Sequence, residues 1–233
     1  MIRRRLLPLL ALAAGITPAF ADTVDLALTC DTTLAPVLRT TGAAYTARTS
    51  VRVFVFATGP GLILPQLERS IQNDIIVTRL PTIDQANQQD LIAYRSALRW
   101  RNELVLAGRD RAASLDQTLA ATDPNPASVV DGPHVIAQLG LHPRRVLGAV
   151  DSDEVGFLIG RGLAQAGLLH MTDVRAHGLE VIRPVPPDIW PPEVYGACVT
   201  RLAHRPDPQG LIAFLATAAG ARLLADGGLE VET

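Results

Sequence analysis

Short apolar runs alternate with helical patterns along most of this chain. Val24-Asp25-Leu26-Ala27-Leu28 alternates as a half-buried strand does, and Leu34, Val37, Leu38 and Tyr45 then recur at helical spacing. Val51 to Phe56 predicts a second strand, Leu62 to Ile71 a helix, and Asp74 to Thr78 a third strand. The pattern restarts at Glu103 to Ala107. A helix over Val129 to Leu139, a strand over Val146 to Val150 and a helix over Val155 to Ala166 follow. Leu168 to His170 and Leu179 to Ile182 read as strands. The proline-rich stretch from Pro184 to Pro192 cannot be a central strand. Val194 to Thr200 predicts a last strand, and Pro208 to Ala225 one amphipathic closing helix ended by Gly227-Gly228.

Strands separated by helices of 10 to 15 residues predict an α/β fold with mainly parallel sheets flanked by helices. Two lobes fit better than one sheet. Residues 22–102 form the first part of lobe 1, residues 103–184 form lobe 2, and residues 185–233 return to lobe 1.

The N-terminus changes where this fold is expected to work. Arg3-Arg4-Arg5 precede an apolar run of 11 residues, Leu6 to Ile16, and Ala19-Phe20-Ala21 is a small-x-small cleavage site. That is the layout of a secretory signal peptide over residues 1–21. The apolar run is short for a membrane span, which takes about 20 residues. A periplasmic chain cleaved after Ala21 is therefore expected.

Composition adds exclusions. The chain is 48% hydrophobic but only 4% aromatic, so its core must be built mostly from Leu, Val, Ile and Ala. Every basic residue is Arg or His; there is no lysine. Net charge is −2, and losing three arginines with the leader makes it more acidic. Neither nucleic acid nor an anionic membrane is favoured as a partner. Two cysteines, Cys30 and Cys198, permit one disulfide in an exported protein; two buried free thiols are the other reading. No Gly-x-Ser-x-Gly, His-Glu-x-x-His, P-loop or Cys-x-x-Cys motif is present, and the five histidines lack metal-ligand spacing. No catalytic residue, metal or cofactor is expected, and the protein is read as a monomer.

Ligands of open α/β sheets lie beyond the carboxyl ends of strands, so the strand-to-helix turns carry the chemistry. In Thr29-Cys30-Asp31-Thr32-Thr33, Pro36 must lie within the first helical turn. That favours Thr33 as the cap and leaves Asp31 either facing the cleft or holding local structure. In Ala57-Thr58-Gly59-Pro60-Gly61, Pro65 places the cap at Gly61 or Leu62. Neither side chain accepts a hydrogen bond, so free N–H groups there could meet an anion or a carbonyl. An ordinary tight turn is the alternative. Ser128 is a natural cap for the helix that follows Asp123-Pro124, and Asp151-Ser152-Asp153-Glu154 places acids at a helix start. His170, ending a short apolar run, is the one histidine that suits a cleft; a satisfied or solvated histidine is the other reading.

The layout resembles the periplasmic molybdate-binding proteins of ABC transporters, and more broadly the type 2 solute-binding fold. The resemblance rests on the order and spacing of several pieces. These are Phe56-Ala57-Thr58-Gly59 leading to Leu62, Asn73 to Val77, Asn102 to Leu106, Asp123-Pro124, Leu139-Gly140, Asp153-Glu154-Val155, Gly162 to His170, and Phe214-Leu215 through Gly227. It implies a two-lobed protein that delivers a small ligand, such as a molybdate-like or tungstate-like oxyanion, to an ABC permease in the inner membrane. It also implies a lining by Asp31, Thr58, Gly59, Gly61, Ser128 (or Ala127), Val155 (or Glu154) and His170. Asp31 stands where the family has a serine, and a carboxylate there would repel a dianion by several kcal/mol (about 332/εr for each charge pair). A non-transport accessory protein, using the same fold for a partner protein or another ligand, is the alternative.

Overall fold

A computed structural model of the protein describes residues 25–69, 71, 73–125, 128–204 and 207–232. The predicted signal peptide lies outside the described residues, as does Ala127. The chain opens with β1 (Asp25–Asp31), a 3-10 turn (Thr32–Leu34), α1 (Ala35–Thr49), β2 (Arg52–Thr58), α2 (Pro60–Glu68) and β3 (Ile75–Arg79). It continues through α3 (Leu80–Gln88), β4 (Ile92–Asn102), β5 (Leu104–Gly108), β6 (Thr118–Thr122), α4 (Gly132–Gln138) and β7 (Arg145–Ala149). Then come α5 (Ser152–Gly160), β8 (Ala166–His170), α6 (Met171–His177), β9 (Glu180–Pro184) and β10 (Glu193–Thr200). The chain closes with α7 (Pro208–Ala216), α8 (Ala218–Asp226) and β11 (Glu230–Val231).

Two sheets form. One has the order β11-β4-β10-β3-β1-β2 and the other β7-β6-β8-β5-β9. Both are mixed, where the sequence pattern suggests mainly parallel sheets. β1 pairs in parallel with β2 and β3, but β10 runs antiparallel to β3 and β4. β6 pairs in parallel with β7 and β8, but β5 runs antiparallel to β8 and β9. The reason is the crossing chain: β5 enters the second sheet directly from β4, and β10 returns to the first, each against the local direction.

Helices cover both faces of each sheet, so the central strands are apolar on both sides, as in β3, where Ile75, Ile76 and Val77 are all buried. In the first sheet, Leu26, Leu28, Ile75, Val77, Ala197 and Val199 face one core, shared with α1, α7 and α8. Ile76 and Cys198 face the other, shared with α2 and α3. This arrangement corrects the disulfide reading. Cys30 belongs to the first core and Cys198 to the second, so the two lie on opposite faces with β3 between their strands. Two strand spacings are about 9.6 Å, beyond the roughly 7 Å that a disulfide can span between Cα atoms. Both cysteines are free and buried. Burial pushes both thiols up, Cys198 to about 12.

The closing segment also departs from expectation. It is two helices bent by 75°, not one. Thr217 has extended backbone angles and caps α8, its Oγ1 accepting from the Gly220 N–H at 3.1 Å while donating to the Phe214 carbonyl at 2.7 Å. The bend lets Leu211, Phe214, Leu215 and Leu224 all reach the same core. The helix predicted over Val155 to Ala166 stops at Gly160, and Ala166 already belongs to β8.

Candidate functional site

The carboxyl ends of β1, β3 and β8 and the start of β10 converge between the two sheets. Asp31 ends β1, Thr78 and Arg79 end β3, His170 ends β8, and Glu193 opens β10. Asp31 and Thr78 fall on the same face of adjacent strands, and the Thr78 hydroxyl donates to Asp31 Oδ1 at 2.5 Å. Arg79 Nε lies 3.5 Å from Asp31 Oδ2. His170 Nε2 lies 3.6 Å from Glu193 Oε1, and the Tyr195 hydroxyl donates to Glu193 Oε2. Asp31, His170, Glu193 and Tyr195 line a cavity of about 20 Å³, completed by Thr32, Thr33, Pro60, Ser128, Val129 and Ser152. That is room for about one water molecule.

Burial governs the titration of the cluster. Asp31 is 2% exposed, and burial raises its pKa to about 7 against the opposing Thr78 hydrogen bond and Arg79 charge. Burial likewise raises Asp173 to about 6. Glu193 is opposed by burial too, but the His170 charge 3.6 Å away, the Tyr195 hydrogen bond and Arg79 outweigh it and hold the carboxyl down at about 2. Burial disfavours the His170 cation; the charges of Glu193, Asp173 and Asp31 reverse that and raise its pKa. The result is a buried seam in which Arg79 stands beside Asp31 and His170 beside Glu193.

A hydroxyl relay ties the lobes beside this cavity. Asn102 Nδ2 donates to Thr172 Oγ1 at 2.9 Å, Thr172 Oγ1 lies 2.9 Å from Thr33 Oγ1, and Thr33 donates to Asp173 Oδ2 at 2.5 Å. Since the Thr33 proton is committed to Asp173, the Thr172 hydroxyl donates to Thr33.

Of the residues the sequence suggests for the lining, Asp31, Ser128 and His170 meet at the cavity. Asp31 does not cap a helix with its side chain; neither does Thr33, whose hydroxyl serves the relay. α1 instead starts at Ala35, with Pro36 inside its first turn. Ser128 does not cap α4; Asp131 does, accepting from the His134 N–H at 3.0 Å. Thr58, Gly59 and Gly61 lie apart from the cavity lining, which takes Pro60 from that turn. Thr58 accepts from Gln66 Nε2, Gly59 is the buried cap of α2, and Gly61 is exposed. Two of the donors expected there are missing from the turn, because Pro60 has no N–H and the Leu62 N–H turns to the Gly59 carbonyl at 2.9 Å. Val155 is fully buried in the core under α5, and its N–H bonds the Asp151 carbonyl. Glu154 N–H is taken by Asp151 Oδ1.

Glu193, Tyr195, Arg79, Ser152 and Thr33 were not legible as site residues. Ser152 sits in the acidic turn that marks α5, and its hydroxyl accepts from the His170 N–H at 3.1 Å. Glu193 follows a run of prolines and carries no periodic signal; only the return of the chain brings it to His170.

The bacterial extracellular solute-binding protein family matches residues 26–230. The chain belongs to that family. Sequence comparison with curated proteins finds no match. Among solved structures, this family member is similar to the periplasmic molybdate-binding protein of Azotobacter vinelandii. The TM-score is 0.69 at 14% identity, over 89% of this chain and 100% of that one. It is also similar to the substrate-binding domain assigned to a molybdenum ABC transporter of Clostridium difficile, with TM-score 0.65 and 17% identity over 89% and 98%. A third is the tungstate ABC transporter protein of Geobacter sulfurreducens, with TM-score 0.59 and 14% identity over 87% and 98%. At these identities the likeness is one of fold, and it fits a two-lobed α/β solute-binding protein.

Proposed function

We propose that this solute-binding protein works in the periplasm, released by cleavage after Ala21, and hands a small organic solute rather than a tetrahedral oxyanion to an ABC permease. The lobe boundaries we propose are 22–102 with 185–233, and 103–184. The observation that carries the ligand reading is Asp31, a buried carboxylate at the interlobe cavity, with Glu193 close enough to raise its pKa further. A dianion in the small cavity would meet two acids, Asp31 and Glu193, in a space for about one water. Solutes with cationic or hydroxyl groups suit these acids better.

Calorimetric titration of the mature protein with molybdate and tungstate, with sulfate as control, tests this. No heat is expected from the three anions. With the titration run at about pH 8, above the Asp31 pKa of about 7, Asp31→Ser is expected to gain measurable molybdate binding by removing one negative charge. Sub-micromolar molybdate binding by the unsubstituted protein would sink the reading.

A further inference from the structure

Next to the small cavity lies a much larger pocket of about 580 Å³. That volume is in the range of organic-solute sites, roughly 300–1,000 Å³. Its walls come from both lobes. Leu80 of the first lobe packs on the core beneath α2 and α3, Val129 belongs to the second lobe, and Trp190, in the segment returning to the first lobe, packs on the core of the second. Pro81, Val129 and Pro192 complete an apolar surface, and prolines hold the Trp190 side rigid.

Two charged residues of opposite sign line this pocket, Arg79 and Glu193. Asp31, at 3.5 Å, is the ionic partner that Arg79 has among the described residues. Buried side-chain polar atoms normally find partners. Among the described residues Arg79 Nε, Trp190 Nε1 and Glu193 Oε1 have no hydrogen-bond partner, although His170 Nε2 stands 3.6 Å from Glu193 Oε1, and all three residues line the one pocket. Glu193 keeps its negative charge at any working pH.

A solute with a single charge would be attracted by one of these residues and repelled by the other. A zwitterion satisfies both. We propose that this pocket binds a zwitterionic solute with an apolar body, its anionic group on Arg79, its ammonium on Glu193, and its body against Trp190 and Leu80. The proposal rests on the organic-solute reading above and names its chemical class. Because the walls belong to different lobes, such a solute would hold the lobes together.

L-phenylalanine, phenylacetate and phenethylamine share an apolar body and differ in charge. Tryptophan fluorescence and calorimetry on the mature protein would compare them. The chain has two tryptophans, and Trp100 is buried in the first-lobe core, so a saturable change reports Trp190. L-phenylalanine is expected to bind at least tenfold tighter than either single-charge probe. Arg79→Gln should weaken L-phenylalanine and phenylacetate at least tenfold and strengthen phenethylamine, whose ammonium the Arg79 charge repels. Trp190→Phe should abolish the fluorescence change while calorimetric binding persists, which keeps the test open if Arg79→Gln misfolds. Equal binding of all three probes, binding of none, or unchanged affinity in Arg79→Gln would overturn the proposal. Failure of both the oxyanions and these probes would sink only the zwitterion. Tight molybdate binding would sink the organic-solute reading itself.

Discussion

The small polar cavity and the large apolar pocket share Val129 and Glu193, yet they are opposites in every other respect. One has a volume of about 20 Å³ and is walled by hydroxyls and matched charges; the other has about 580 Å³ and is walled by Leu, Pro, Val and Trp. The difference teaches that the strand ends, where the fold usually places its ligand, here serve to latch the lobes. Room for a solute lies one step outward, beside the returning chain. Glu193 stands at the boundary and belongs to both.

Breaking the latch should have the largest effect. Glu193→Ala leaves the buried His170 without its counter-charge and should destabilise the fold by about 3–5 kcal/mol. Urea unfolding reads this directly; a loss under about 1 kcal/mol would mean the pair does not hold the lobes. The next effect is on pH. Between about pH 4 and 7 the folded protein holds a proton on Asp31 that the unfolded chain has released, so stability falls as pH rises through that window. Asp173 adds to the same slope up to about pH 6, and His170 continues it as its cation is lost. The ceiling for Asp31 alone is about 4 kcal/mol. Melting temperatures of Asp31→Asn against pH should show a clearly flatter decline; an identical slope would place the titration elsewhere. The smallest effect should come from the pocket wall. Pro192→Ala removes a half-buried ring outside both cores and should change stability by no more than about 0.5 kcal/mol. A cost comparable to that of Glu193→Ala would erase the contrast between latch and pocket.

The strands with uninterrupted apolar character were legible in the sequence, and so was the two-sheet α/β architecture. β1, β3, β5, β8 and β10 fall where their runs predict them. β4 was not legible, because two register shifts against β10 break its alternation and leave Arg95, Arg99 and Arg101 among its residues. β6 has only Leu119 as a large apolar residue in Thr118–Thr122. Its neighbours bring burial to Ala120 and Ala121, which look neutral on their own. α6 is a helix of seven residues, too short for periodicity to declare. At the site, Asp31, Ser128 and His170 follow from their places at strand ends and turns. Val155, Gly59 and Gly61 do not line the cavity: the Val155 N–H is spent on the Asp151 carbonyl, and the turn presents only Pro60. The charge matching between lobes depends on Glu193, and no local pattern announces a contact made by a chain that leaves one lobe and returns.

The placement of the two cysteines has a consequence for how this protein matures. With Cys30 and Cys198 on opposite faces of one sheet, folding needs no oxidant and no disulfide exchange, and a reducing or an oxidising compartment gives the same native chain. Each thiol is buried and held protonated, hence inert while its helical layer stays in place. Cys30 lies beneath α1, α7 and α8, and Cys198 beneath α2 and α3. The pair is therefore a built-in clock, each sulfur timing the opening of its own side of the same sheet.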